Sequence, residues 1–314
     1  MDSLNDRPLK RCACVGNMTQ DHLLFTERLP EIDDVAFVLD RVDCVGGRGA
    51  LVALTAAALG IPVGLCTVVG DHAPAQCLRF LQESGVSTEG ISKASGGEGL
   101  FEVFAAIDAH EENCISFFVP KKISFEVLPQ HTRLVADADV VYFSTHKRSF
   151  NSTLIKSLHP GQTIIHNLTS YMLADAQYLD LLLSTSNVLV GNEAELNYLL
   201  HHLALNRAPQ VMEKYSKIEC VIATQGKAGA LVFTKEGVVT VAAQSSKAVA
   251  PIGAGDAFAA GIMYGVSAGF SYVAAARLGV ALGAESVRSR YSYPDLNRLR
   301  ENRESLIRAA LDGD

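Results

Sequence analysis

The chain carries 314 residues, 48% of them hydrophobic and 19% charged, with 27 basic against 34 acidic side chains and a formal net charge of -7. That apolar content over that length excludes an intrinsically disordered chain and suffices for one large α/β domain, with or without a small appended one. The acidic balance excludes a nucleic-acid binder, which needs a basic face; His146-Lys147-Arg148 and Lys121-Lys122 are too short to make one.

Along the chain, short apolar, β-branched runs alternate with longer Ala/Leu-rich ones. The runs "RCACVG", "PVGLCTVVG", "DVVYFS", "QTIIHN", "NVLVGN" and "CVIATQG" are predicted as buried parallel strands. The runs "ALVALTAAALG", "APAQCLRFLQESG", "AQYLDLLLSTS" and "EAELNYLLHHL" are predicted as helices. This rhythm is that of an α/β fold with a doubly wound, mainly parallel sheet flanked by helices. Residues 24–45 and 98–119 break it with strand-like alternation and no intervening helix, the second stretch turning near His110 to Asn113. They form either a small separate sheet, which over the active end of the core would be a lid, or antiparallel edge strands of the main sheet. The simplest division gives residues 10–23, 46–97 and 120–314 to the core and 24–45 and 98–119 to a β lid. The C-terminal part is helical, with Asp295 after Pro294 as the expected N-cap of the last helix.

The seven cysteines are an odd number without a CxxC pair and sit mostly in apolar runs, as reduced core thiols of a cytoplasmic protein do. The start "MDSLNDRPLKR" lacks a signal peptide's apolar segment and no apolar run approaches a membrane span, so no membrane partner is expected. The nine histidines show neither HExxH nor a Cys/His zinc spacing, against a metal site built on histidine.

The most informative stretch is Gly253-Ala254-Gly255-Asp256, which opens a small-residue helix. Free N–H groups and the helix dipole at such a start attract an anion, and only small residues let a phosphate approach the backbone. Asp256 is badly placed to bind that anion and well placed to take a proton from an attacking hydroxyl. Alone, the tetrapeptide is a glycine-rich connection with an ordinary first-turn carboxylate. Three other pieces are equally plain alone: the glycine turn Gly46-Gly47-Arg48-Gly49, the helix start Asn192-Glu193-Ala194-Glu195 after a strand, and the tight turn from Thr224 through Gly226 to Gly229.

In this order, from Cys12 to about Arg290, the pieces resemble the ribokinase-like (PfkB) family of carbohydrate and nucleoside kinases. The family's double glycine and downstream glycines match Gly46, Gly47, Gly49, Gly60 and Gly70. Its NxxE matches Asn192 and Glu195, its nucleotide-side TxGxxG matches Thr224, Gly226 and Gly229, and its DTxGAGD matches residues 253–256. The resemblance implies a kinase using ATP and Mg²⁺, with Asp256 as general base and the Gly253, Ala254 and Gly255 amides as anion hole. It further implies Asp21, Gly46, Gly47 and Arg48 on the acceptor side, Mg²⁺ near Glu195 through water, and an apolar adenine pocket near Gly279 to Gly283. It also implies a small sugar or nucleoside as acceptor, and a lid of the kind that in these kinases often pairs two copies into a dimer.

The chain also departs from that pattern. Ala250-Pro251 stands where the family has Asp-Thr; in cation-activated relatives that Asp is a ligand, so potassium dependence is expected to be weak or absent. Leu51 replaces a sugar-reading Asn and Thr145-His146 an acid, which argues against ribose, because a substrate hydroxyl would be buried unpaired. Arg48 with Lys121 or Lys122 could instead meet an anionic group, or serve as solvated surface charge. An apolar Leu51 suits a nucleoside base or a less hydroxylated sugar. Rivals fare worse: no GxGxxG follows a strand with an acid about twenty residues on, and GxxxxGK[ST] is absent. A kinase-fold binding protein without turnover is the non-enzymatic alternative.

Overall fold

The computed structural model describes residues 8–108, 113–144, 147–169, 175–244 and 246–312. Thr145, His146 and most of the turn expected at 110–113 lie outside them. The chain begins with β1 (Cys12–Val15), β2 (Thr19–Thr26), β3 (Val38–Gly46), α1 (Arg48–Ala58), β4 (Val63–Gly70), α2 (Ala75–Glu83) and β5 (Ile91–Ala94). Next come β6 (Phe101–Asp108), β7 (Cys114–Val119), α3 (Pro129–Ala136), β8 (Val140–Phe143), α4 (Arg148–Ile155), β9 (Thr163–Asn167) and α5 (Ala176–Thr185). Then follow β10 (Val188–Asn192), α6 (Glu193–His202), α7 (Pro209–Lys214), β11 (Cys220–Thr224), β12 (Ala230–Thr234) and β13 (Gly237–Val241), and last α8 (Ala254–Ala268), α9 (Tyr272–Val287) and α10 (Leu296–Leu311).

The large sheet has the order β13-β12-β11-β10-β9-β8-β1-β4-β5, parallel from β11 to β5, with β12 and β13 added antiparallel at one edge. Its central strands β1, β4 and β8 are buried at every position. This is why they read as unbroken apolar runs: helices cover both faces of a parallel sheet. Alternate residues along a strand serve the two faces. Cys14, Tyr142 and Val190 pack with α1, α8 and α9. On the other face Val15 and Val141 pack with α4, and Leu189 and Val221 with α5, α6 and α7. Asp295 caps α10 as expected, its carboxylate accepting from the N–H groups of Asn297 (3.0 Å) and Arg298 (3.1 Å).

The second sheet is separate and has the order β3-β2-β6-β7, with β2 and β6 parallel and the outer pairs antiparallel. It draws β2 from Thr19, inside the 10–23 stretch that the sequence had given to the core, so Asp21 belongs to the lid. The boundary was hidden because Asp21 and His22 interrupt the apolar pattern of β2. Both are buried only because they are partnered, Asp21 by Thr19 and Ser292 and His22 by Asp43. The inner face of this sheet is anchored by Leu23, Phe25, Ala105 and Ile107 packing on Ala250, just before the turn into α8.

Candidate active site

A cavity of about 610 Å³ lies where the second sheet overhangs the C-terminal ends of β10 and β11. The loops beyond the carboxyl ends of parallel strands are where open α/β sheets build binding sites. Its floor is the turn into α8. Gly253 N-caps that helix at φ 81 without a side-chain cap, a left-handed conformation that glycine takes without strain, and a Cβ there would collide with the Ser292 carbonyl oxygen. The N–H groups of Ala254 and Gly255 find no acceptor among the described residues, and a Cβ on Gly255 would meet nothing within 4 Å. Free donors, the helix dipole and open space together make an anion site.

Asp256 follows in the same turn, open to the cavity on one side and surrounded by protein on the others. Burial pushes its carboxyl up to about 6, with the Arg48 cation pulling it down and the Asp21 and Glu195 carboxylates pushing it further up. Arg48 opens α1 directly after Gly47, whose φ of 91 turns the chain from β3 into the helix. Its side chain is 42% exposed, and its guanidinium lies 3.5 Å from Glu195 Oε1 and 3.5 Å from the Leu168 carbonyl oxygen. Burial works against this charge, but Asp256 and Glu195 hold it above its ordinary value.

Asp21 enters from the lid. Its carboxylate, 2% exposed, accepts from the Thr19 hydroxyl at 2.6 Å and the Ser292 hydroxyl at 2.7 Å. Burial raises its pKa, and those hydroxyls work in the opposite direction. Asn192 and Glu195 form a reciprocal cap on α6: Asn192 Oδ1 accepts from the Glu195 N–H at 2.8 Å and Glu195 Oε2 from the Asn192 N–H at 2.9 Å. Glu195 therefore has one oxygen held and the other facing Arg48. Among the described residues no cluster of three or more His, Cys, Asp or Glu could hold a metal ion.

Of the residues singled out from the sequence, Asp21, Gly47, Arg48, Asn192, Glu195, Thr224, Gly226, Gly253, Gly255 and Asp256 line this one cavity. Ala254 contributes its N–H from the same turn, and Gly46 lies beneath, where a Cβ would run into the Asp21 carboxylate. Gly229 sits in the β11–β12 turn against the Val241 carbonyl oxygen. Gly279 does not line this cavity; it lies inside α9, where it lets that helix close on Gly261 and Phe258 of α8. Lys121 and Lys122 do not line the cavity, and Lys121 pairs with Glu102 at 2.9 Å. The sequence reading missed Asn167, Ile252 and the lid residues Val103, Ser116 and Phe118, all of which line the cavity beside Leu51. Only Asn167 carried a signal, since it ends a predicted strand as Asn192 does. A second cavity, of about 670 Å³, opens at the opposite ends of β1 and β4 beside α3 and contains none of the glycine turns.

A family model described as pfkB family carbohydrate kinase matches residues 9–298. The chain is 23% identical over 285 residues to a 5-dehydro-2-deoxygluconokinase of Listeria innocua, covering 84% of this chain and 86% of that one. It is 24% identical over 259 residues to a nucleoside kinase of Methanothermobacter thermautotrophicus, covering 79% and 80%. In three dimensions it resembles the Arabidopsis thaliana ribokinase solved with ribose and ATP, with a TM-score of 0.75, 19% identity, and 96% and 99% of the two chains covered. A parallel sheet under a smaller lid sheet, with a glycine turn and an acid between them, is thus a ribokinase-like kinase fold, and the chain belongs to the pfkB family of carbohydrate kinases.

Proposed function

We propose that the protein transfers the γ-phosphoryl group of ATP to a hydroxyl of a small sugar or sugar derivative. The observation that carries this reading is Asp256, set beside the two free N–H groups of its own helix turn and pushed up to about 6. A carboxylate with that value is ionised at neutral pH and basic enough to take a proton from the acceptor as the bond to phosphorus forms. The amides of residues 253–255 hold the charge that gathers on the transferring group. Arg48 keeps Asp256 ionised in a cavity that also contains Asp21 and Glu195. Asp21 accepts from an acceptor hydroxyl with the lone pairs that Thr19 and Ser292 leave free.

Asn192, Thr224 and Gly226 line the far side of the cavity and take the nucleotide. Mg²⁺ borne by the phosphates would be held through water by one carboxylate, Glu195, which borders the cavity. Bound Mg-ATP supplies the phosphoryl group and the metal offsets phosphate charge.

A nucleoside acceptor is the second reading, favoured by the apolar wall of Leu51, Val103, Phe118 and Ile252. An anionic acceptor has less support: among the described residues that line the cavity, Arg48 is the single cation beside three acids, and it already faces Glu195. The lid carries the exposed side chains Phe37, Leu39, Ile115 and Phe117, which supports pairing of two copies there. Sedimentation of Phe117→Glu tests it; a dimeric wild type and a monomeric variant are expected, and a monomeric wild type would refute it. The function itself is tested by ADP release from Mg-ATP over sugars, sugar acids, sugar phosphates and nucleosides, with Asp256→Asn as background. A signal that persists in Asp256→Asn, or silence across the panel with ATP bound, would count against a kinase of this mechanism.

A further inference from the structure

Ser292 lies between the lid and the glycine turn, in the segment 288–295 joining α9 to α10. It is fully buried and touches both sides with different atoms. Its hydroxyl donates to Asp21 Oδ2 at 2.7 Å, while its carbonyl oxygen occupies the space a Cβ on Gly253 would need. Its neighbours fasten the segment in the same two directions. The Val287 carbonyl accepts from the N–H groups of Val249 (2.6 Å) and Ala250 (3.1 Å), upstream of the turn. Arg290 pairs with Asp40 of β3 and lies 5.1 Å from the ring centroid of Phe25 in β2.

The carboxylate of Asp21 can accept about four hydrogen bonds, and Thr19 and Ser292 fill one on each oxygen. Thr19 belongs to the same strand as Asp21 and moves with it. Ser292 is the donor that ties Asp21 to the other half of the site. Resting on the kinase reading above, we propose that Ser292 is a positioning residue: its hydroxyl aims Asp21 at the acceptor, and its carbonyl fixes the Gly253 turn that receives the phosphoryl group. One residue thereby sets the separation of the two reacting partners. A misplacement of about 1 Å between such partners costs on the order of 10²-fold in rate.

Ser292→Ala keeps the carbonyl and removes only the hydroxyl. The acceptor KM is expected to rise about tenfold or more, as for loss of one hydrogen bond to a charged group, while the KM for Mg-ATP stays within about twofold. A second readout needs no turnover. The titratable groups facing Asp21 are Cys44, Tyr293 and Asp256, with His22 beside it. Burial already raises the Asp21 carboxyl, so loss of the hydroxyl raises it further. The variant should then lose more urea stability at high pH than at low pH. Ser292→Cys, nearly isosteric and a weaker donor, gives the same pattern at smaller size and replaces alanine if that variant does not fold. Equal stability losses at both pH values with an unchanged acceptor KM would overturn the proposal, because a serine that merely fills space behaves that way. An acceptor screen silent for the wild type would instead sink the kinase reading, and the stability difference would still decide whether Ser292 holds Asp21.

Discussion

Replacing Asp256 by asparagine should cut turnover steeply and, at neutral pH, make the protein more stable. The unfolded carboxyl titrates near 3.8 and the folded one near 6, so the native state binds the proton more tightly than the unfolded chain does. Such a group contributes nothing against folding below pH 4; its cost grows as pH rises between the two values and is complete above the higher one. At 1.36 kcal/mol per unit, the interval amounts to about 3 kcal/mol, and water reaching the open side of Asp256 lowers the expected figure to roughly 1.5–3 kcal/mol. Asparagine is neutral at every pH and removes the cost. The variant is therefore expected to melt roughly 2–5 °C above the wild type at pH 7.5, with about half of the free-energy gain left at pH 5. Turnover should fall on the order of 10²- to 10⁴-fold with nucleotide affinity nearly intact. Urea titrations at pH 5, 6, 7 and 8, paired with calorimetric ATP binding, measure all of this. A variant less stable than the wild type at pH 7.5, or a gain that does not change with pH, would refute the burial argument, and near wild-type turnover would remove Asp256 from the chemistry.

The same carboxyl should appear in kinetics as an acid limb near pH 6 in acceptor kcat/KM. Arg48→Met, which removes the cation drawing that value down, should move the limb upward; a limb that stays in place would separate Arg48 from Asp256. The glycines of the turn are expected to differ from one another. Gly255→Ala adds a methyl into open space, so the fold should keep or slightly raise its melting temperature while phosphoryl transfer collapses. Gly253→Ala meets the Ser292 carbonyl at a positive φ and should lose a few kcal/mol of stability; equal behaviour of the two variants would refute the anion-site geometry. Potassium chloride should change the rate less than about twofold relative to a matched non-activating salt. Ala250 is fully buried among Leu23, Phe25, Ala105 and Ile107, and an apolar shell cannot replace a cation's water. A large potassium activation would refute that.

How much of the site could be read from the sequence depended on how local its chemistry is. The turn at residues 253–256 and the Asn192–Glu195 cap are each made by neighbouring residues: a helix start needs small residues and a capping pair within one turn, so four letters carry the geometry. The parallel strands were legible for a related reason, since burial on both faces writes an unbroken apolar run. The lid boundary failed because β2 carries Asp21 and His22, which look like surface residues until their partners are known, and those partners lie at Ser292 and Asp43. Gly279 is ambiguous in the sequence, because close helix packing and close ligand approach both demand a residue without a side chain, and the structure shows the packing. The cavity wall from Val103, Ser116 and Phe118 was invisible for want of any pattern linking the lid to the ends of β9 and β10. Ser292 is the extreme case: it stands 271 residues from Asp21, and nothing in its own surroundings marks it. What the chain states locally is a turn open to an anion beside an acid, and what it leaves to long-range contact is the lid side of the cavity. Substitutions in the turn should therefore change rate with every acceptor alike, whereas substitutions at Ser292, Phe118 or Asn167 should reorder the acceptors.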